Sequence, residues 1–586
     1  MTTQATGWAS AFKAFLDRRA LIMLFLGFSA GIPILLIFSS LSLWLGEAGI
    51  DKSAVTFFSW AALGYSFKFV WAPLIDELPV PLLTKSLGRR RAWLLIAQSL
   101  IICAICIMAF SDPALGQSYI IQMAVGAVLL GFSAATQDIV IDAYRTDISP
   151  ENERGLAASM GVFGYRVAMI VSGGVAFILA DQLGWAQVYR AMAWIMLAMA
   201  AFSCVTPMIP NEVTDKHRAR DFSLFVLMMV VSAMMFYGIY KISGWLLPEF
   251  LASSSMVRAI LALLMSGATV EVLSRATKFV GRDDLRGFAF MLLGAVLGVL
   301  IGGWFFALFA PLVQDFLSGL SEKNAKNWLN LCETLIILSF AIPAAYWGAK
   351  WSSFKLLLEP MSEYFTKEAA WWFLALLVFY KLGDAFAGTL STNFLLKGVG
   401  FSQTEVGLVN KMLGMFATIG GVVLGGVLML RWGLWRSLLV FAILQAVSNL
   451  GFWSLAHYGQ NALGHFTLPT GEFARVLTGN QSLSGDLSID YLLAMVVGFE
   501  NITGGMGTAA FVALLMGLSR GGHSLTYYAL LSALASLGRI YVGPVAGVLA
   551  EPENLGWANF FIFATLMGFP AVLLLLKLRQ KVHQLS

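Results

Sequence analysis

The stretch TQDIVIDAYRTD, residues 136–147, closes the apolar run GQSYIIQMAVGAVLLGFSAA and places Asp138 and Asp142 four residues apart. A helix stacks that spacing on one face, and a lone charge in hydrocarbon costs several kcal/mol. Both carboxylates are therefore expected to face a basic partner or water. Arg166, in GYRVAMIVSGG, lies about ten residues into the next apolar run, or about 15 Å deep at the helical rise. An Asp138–Arg166 pair is the expected result, leaving a carboxylate that can exchange a proton as its pairing changes. A static pair that only fixes helix packing is the competing reading. Asp142 lies nearer the surface, before Tyr144, Arg145 and Asp147, and fits a gate network within reach of a snorkelling Lys68 in GYSFKFVWAPLID.

A second concentration of polar residues lies in YKLGDAFAGTLSTNFLL, where Lys381 and Asp384 can pair at i,i+3 and Thr389, Ser391, Thr392 and Asn393 follow. Asn410, Lys411, Gln445, Asn449, Glu500, Asn501, Arg539 and Tyr541 add polar groups within apolar surroundings. Proton coupling is expected from Asp138, Arg166, Lys381, Asp384 and Glu500. Substrate contacts are expected from Gln137, Tyr165, Asn393, Asn410, Lys411, Asn449, Asn501 and Arg539. The set suits a large, polar, hydrogen-bonding solute better than an ion or an apolar drug.

These groups need a membrane around them to be meaningful, and the composition supplies it. The 586 residues are 59% hydrophobic and 12% charged, with a mean hydropathy of +0.78, against roughly a quarter charged in soluble domains. The chain reads as an all-α polytopic membrane protein. Its net charge of +5 comes from short basic clusters between apolar runs, which reflect topology and not nucleic-acid binding. Cys103 and Cys106 form a C-x-x-C wholly inside an apolar run. Soft metals need a closed donor set, so no metal or cofactor is expected. His457 and His465 share the long loop 456–489, but no acidic pair accompanies them as an enzyme of lipid-linked sugars would require. The polar start MTTQATGWASAFKAFLDRR leads into a full-length span, so the first span is expected to act as its own signal.

Runs of about 20 apolar residues, the length of a membrane crossing, are expected near 20–45, 54–76, 92–110, 118–143, 156–180 and 186–209. Six more follow near 370–396, 404–430, 434–455, 490–518, 524–549 and 556–578. Residues 1–210 and 366–586 thus read as two six-helix bundles, and 211–365 as a linker with about four extra hydrophobic helices. Arg18, Arg19, Gly88-Arg89-Arg90-Arg91, Arg145, Arg154, Arg431, Arg436 and Lys577 to Lys581 fall on one side, which the positive-inside rule makes the cytoplasm. Sixteen crossings with both termini inside is the expected topology.

The halves repeat. GIDKSAV from Gly49 aligns with GFSQTEV from Gly400, each before the second span of its half. After that span come Asp76 with Arg89 and Arg90 in one half, and Arg431 with Arg436 in the other; Lys68, Asp76, Arg89, Arg90, Asp142, Arg145, Arg431 and Arg436 make the expected cytoplasmic gate. Gln137-Asp138 and Glu500-Asn501 are expected at equivalent depths of the fourth spans. Parallel repeats of this kind carry their site near mid-membrane where the halves meet.

SAATQDIVIDAYRTD, ERGLAASMGVFGYRVAMIVSGG, YKLGDAFAGTLSTNFL, GFSQTEVGLVNK, ATIGGVVLGGVLMLR, FENITGGMGTAAFVALLM and ALLSALASLGRIYVGPVAGV together resemble the AmpG-type muropeptide permeases. The resemblance covers both six-helix halves. It implies the major facilitator fold and a proton-driven inner-membrane permease that imports anhydro-muropeptides for cell-wall recycling and is linked to beta-lactamase induction; a monomer is expected. An acetyl-CoA carrier of the same superfamily is the alternative. The extra helices lie in the middle of this chain, a departure that makes them expected peripheral packing.

Overall fold

The computed structural model describes residues 14–48 except 38, isolated positions from 65 to 80, residues 83–150, 153–207, scattered positions between 224 and 275, and 282–319, 321–352, 354–468, 487–520 and 524–585. Most of the expected second span, Asp76, the GIDKSAV segment and the first two hydrophobic runs of the linker lie outside the described residues, and the count of sixteen crossings rests on them. Two compact units are present. One comprises residues 1–72, 93–209 and 368–586, the other 73–92 and 210–367.

In the first unit, α1 (Arg18–Ile37) and α2 (Ser39–Glu47) make the opening span. α3, the short Leu83–Leu87 helix, and the first turn of α4 (Arg89–Ala109) fall in the other unit, whereas the rest of α4, α5 (Gln117–Ile148), α6 (Arg154–Met169), α7 (Ala176–Leu183) and α8 (Trp185–Val205) belong to the first. A π-helical turn, Ile170–Val175, joins α6 to α7 into one crossing. Tight joints have local causes: Asp112 caps the turn before α5 by accepting from Ala114 N, and Gly184, at φ +79°, turns α7 into α8 where a side chain would be strained.

In the second unit, α9 (Arg282–Phe316) and α10 (Glu322–Trp351) form an antiparallel hairpin, with α11 (Lys355–Thr366) after it. Gly294, Gly298 and Gly302 meet Ala344, Ala341 and Ile337 of α10 at backbone distance. Small residues at four-residue spacing give membrane helices this approach. The outer faces carry exposed Trp304, Leu308, Leu312, Trp347 and Trp351, as lipid-facing surfaces do. α11 was not anticipated, because its polar residues break up the apolar signal that marks a crossing.

The other six-helix half belongs to the first unit. α12 (Ala370–Asn393) ends in a π-turn, Phe394–Val399; α13 (Gln403–Val406) leads through another, Gly407–Leu413, into α14 (Gly414–Tyr458). Gly433, at φ 75° and ψ 170°, divides α14 into two crossings. Gly88 has φ +79° at the matching position before α4, so the repeat extends to backbone conformation. α15 (Tyr491–Leu518), α16 (Ser524–Leu549), α17 (Gly556–Lys577) and α18 (Arg579–His583) close the chain. The expected loop 456–489 begins and ends in antiparallel strands β1 (His465–Leu468) and β2 (Leu487–Asp490). Asp490 locks their base: it accepts from Leu493 N and Asn461 N, while its own N–H donates to Glu405. Among the described residues eleven runs are long and apolar enough to cross a membrane, one of them the 52-residue Gly407–Tyr458 run.

Glycines decide how α1 meets α6. A Cβ on Gly27 would strike the Gly161 carbonyl, on Gly31 that of Tyr165, and on Gly164 that of Leu24. This contact fixes the helix that carries Tyr165 and Arg166. Gly164→Ala should therefore destabilise the folded protein by about 1–3 kcal/mol through overpacking, whereas Gly174→Ala, with nothing within 4 Å, should change little. Detergent-solubilised melting curves of the two variants check this.

Candidate transport site

Two groups of charged residues occupy the first unit. The first is built on α5, whose i, i+4 and i+7 positions put Asp138, Asp142 and Arg145 along one face. Asp142 is flanked by Lys68, at 3.8 Å, and by Arg145, which donates to Oδ1. Arg145 also donates from Nη2 to the hydroxyl of Tyr528 at 2.9 Å, across 383 residues of sequence, and its guanidinium faces that ring. Gly161 makes room, because a Cβ there would lie 2.8 Å from Arg145 Nη1. Trp71 Nε1 donates to Thr136 at 3.2 Å and its ring packs on Phe132, holding the Lys68 segment to α5.

Deeper along the same face, Asp138 Oδ1, both side-chain polar atoms of Gln137, and the Tyr65 hydroxyl are buried with no hydrogen-bond partner among the described residues. The charges acting on Asp138 are those of Lys68, Asp142 and Arg145, whereas Arg166 acts on Glu500. The expected Asp138–Arg166 pair is accordingly corrected: among the described residues no ion pair joins them. Tyr165, within range of Asp138, Asp142 and Arg166, stands where the two groups approach. The next residue round the helix, Arg166, donates to Met169 Sδ at 3.7 Å and lies within the electrostatic range of Glu500.

The second group comes from α12, α14 and α15. Lys381 Nζ lies 3.5 Å from Asp384 and donates to Thr508 at 3.0 Å. Asn501 donates to Glu500 at 2.7 Å and to the Val497 carbonyl at 2.9 Å, and accepts from Thr418 at 2.9 Å. Asn410 donates to Thr392 at 3.4 Å. Glu500 is thus fixed by a neighbouring amide within the field of Asp384, Lys381 and Arg166.

Depths differ from expectation. Asp138 lies ten residues from the Ile148 end of α5 and Glu500 eighteen from the Leu518 end of α15, or about 15 and 27 Å at ~1.5 Å per residue. The polar pairs of the fourth spans are therefore offset along the bundle, and with them the two charge groups form a ladder from the basic end inward. Contacts between the halves gather at that end: Gly155 lies against Met429, Gly426 against Ser159, and Arg154 donates to the Leu585 carbonyl at 2.8 Å. The bundle is closed there.

Residues 19–193 match the family model of acetyl-coenzyme A transporter 1. Over 572 residues the chain is 32% identical to the anhydromuropeptide permease of Escherichia coli (strain K12), covering 97% of this chain and 82% of that protein. The chain belongs to the anhydromuropeptide permease family. A putative AmpG transporter of Rickettsia felis is 24% identical over 571 residues, 97% of this chain and 99% of its own. The proton:xylose symporter XylE, a major facilitator superfamily structure, superposes with a TM-score of 0.51 at 12% identity over 96% of each chain. The fold is that of the superfamily, in a multi-pass membrane protein.

Within this permease fold, the remaining predicted residues are dispersed. Asn393 is exposed at the end of α12. Asn449 is buried beside Gln445, whose carbonyl faces Gly507, so both sit among packed helices of the second half. Arg436 is exposed, Arg431 and Arg89 are half-buried, and Arg90 is buried in the first turn of α4. The side chains of Lys411 and Arg539 lie outside the described residues. Sequence reasoning missed Tyr528: a tyrosine in TYYALLSALASL looks like packing until its distant arginine is known.

The basic-end closure has a direct consequence. Gly155→Cys with Met429→Cys should form a disulfide on mild oxidation, since a Cβ at 155 would lie 2.9 Å from that of Met429 and a separation of the two helices by about 1 Å reaches the ~3.8 Å of typical bridges. Transport should stop in the oxidised form and return on reduction, as read by substrate uptake before and after thiol treatment.

Proposed function

We propose that the protein imports anhydro-muropeptides across the bacterial inner membrane, driven by proton entry, for recycling of cell-wall fragments, with a resulting link to beta-lactamase induction. The observation that carries this reading is identity to a muropeptide permease spread over both halves. The polar ladder supports it: such a substrate combines sugar hydroxyls with a charged peptide, and Arg166, Lys381, Asp384, Glu500 and Asn501 offer both signs of charge and amide donors within one region. Binding at mid-membrane between the halves follows the superfamily pattern. Asp138 is the proposed proton carrier. It is half-buried, with Oδ1 enclosed, in the field of Lys68, Asp142 and Arg145, so gaining or losing a proton changes the balance of the network that closes the basic end. The protein acts alone, as a monomer, with both termini and the basic end in the cytoplasm.

A second reading, transport of acetyl-coenzyme A, is favoured by the family match over residues 19–193. That match leaves out the second half, whereas the permease identity includes it. Uptake of labelled anhydro-muropeptide into vesicles bearing an inward proton gradient separates the two. Competition by unlabelled muropeptide is expected, and competition by acetyl-coenzyme A alone would favour the second reading.

Asp138→Asn keeps shape and hydrogen bonding but removes the titrating group. Gradient-driven accumulation should be lost while counterflow exchange of substrate persists. Accumulation at the normal level in this variant would move the proton site to Asp384 or Glu500. For orientation, a reporter fused near Asn324, in the first turn of α10, should be active in the periplasm, and one at Lys355 in the cytoplasm. The opposite pattern would invert the topology.

A further inference from the structure

The segment that follows the last crossing is seated on the second half and reaches the first. Leu578 and Val582 are buried, Val582 completely. Trp435, in the second crossing of α14, donates to the Leu575 carbonyl at 2.8 Å, and its ring packs against His583 and under the Arg579 guanidinium, 4.8 Å away. Leu585 fills the space over Gly517 of α15: a Cβ there would sit 3.2 Å from the Leu585 Cβ and 3.7 Å from Arg154 Nη1. Lys581 pairs with Glu368 just before α12 at 2.6 Å. All of these anchors belong to the second half. Among the described residues, a tie to the first half is the hydrogen bond from Arg154, the opening residue of α6, to the Leu585 carbonyl at 2.8 Å.

We infer that residues 578–585 are a strap across the basic end, anchored on the second half by Trp435, Val582 and Leu578, whose Arg154–Leu585 bond holds the halves together and breaks each time that end opens. The asymmetry of the attachments carries the argument. Apolar burial and an indole seat keep the strap on its own half through the cycle, whereas one charge-assisted hydrogen bond is strong enough to bias a two-state equilibrium and weak enough to be exchanged for water. The bond also joins α6, the element that carries Ser159 and Arg166, to the residues just after α18. Helix movement on either side must therefore change it. The Arg145–Tyr528 contact closes the same end through α5 and α16, so the strap is a second tie and not a restatement of the first. It rests on the reading that the halves separate at the basic end during transport, and it does not depend on the substrate.

The test uses the full-length chain with Cys103, Cys106, Cys204 and Cys332 replaced by Ser and with Ser159→Cys as reporter. Position 159 is fully buried beneath Gly426 while the end is closed. N-ethylmaleimide should label it about tenfold faster in Arg154→Gln, and likewise in Val582→Glu, the change expected when one charge-assisted bond is removed from a two-state equilibrium. The double variant should label no faster than either single one, because both release the same tie. Lys581→Ala, which breaks an exposed pair within the second half, should leave the rate unchanged. Unaltered labelling in Arg154→Gln with an unaltered melting profile would overturn the strap, as would a double variant whose effects multiply. Labelling that follows this pattern in a chain that takes up no muropeptide would keep the strap and reject the substrate.

Discussion

Hydrocarbon cannot solvate a charge, and that constraint arranges everything around α5. Asp142 is tolerable inside the bundle because Lys68 and Arg145 neutralise it, and Arg145 is tolerable because Asp142 and the Tyr528 hydroxyl satisfy it. Removing one member leaves another buried and uncompensated, which costs more than the pair contributes. The two halves are thus joined at their basic end by electrostatic need as well as by packing. A tie of this kind suits a machine that must open: it has few partners, and water can replace them.

The second group obeys the same rule with a different outcome. Lys381 and Asp384 neutralise one another on one helix, while Asn501 positions Glu500 and Thr418 positions Asn501. Arg166 comes from the other half. The charges of this region are balanced within the protein yet drawn from both bundles, so a change in the distance between halves alters the field at Glu500.

Close backbone approach is what allows side chains so far apart in sequence to meet. Gly27, Gly31, Gly161 and Gly164 bring α1 onto α6, and Gly421, Gly425 and Gly505 do the same for α14 and α15. Each contact lacks side-chain interdigitation and gains dispersion and registry instead. The registry matters most. A shift of one residue on α6 would swing Arg166 by about 100° away from its present neighbours.

The sequence by itself determined the class of protein, the lengths and order of most crossings, the basic side and the carboxylates worth attention, because these are properties of single segments. Apolar run length marks a span, and Lys and Arg between runs mark a side. It also carried the repeat, down to the glycines that precede α4 and the second part of α14. Pairing was another matter. Asp138 and Arg166 lie at similar depths on neighbouring spans, and one-dimensional reasoning joined them; the rotation of α6, set by its glycine contact with α1, leaves no ion pair between them and puts Arg166 within the electrostatic range of Glu500. Tyr528, the strap over Gly517 and the amphipathic α11 were equally invisible, since none stands out from its neighbours in type or period. Helix rotation and contacts hundreds of residues long are decided only when all the helices pack at once, and no local pattern encodes them.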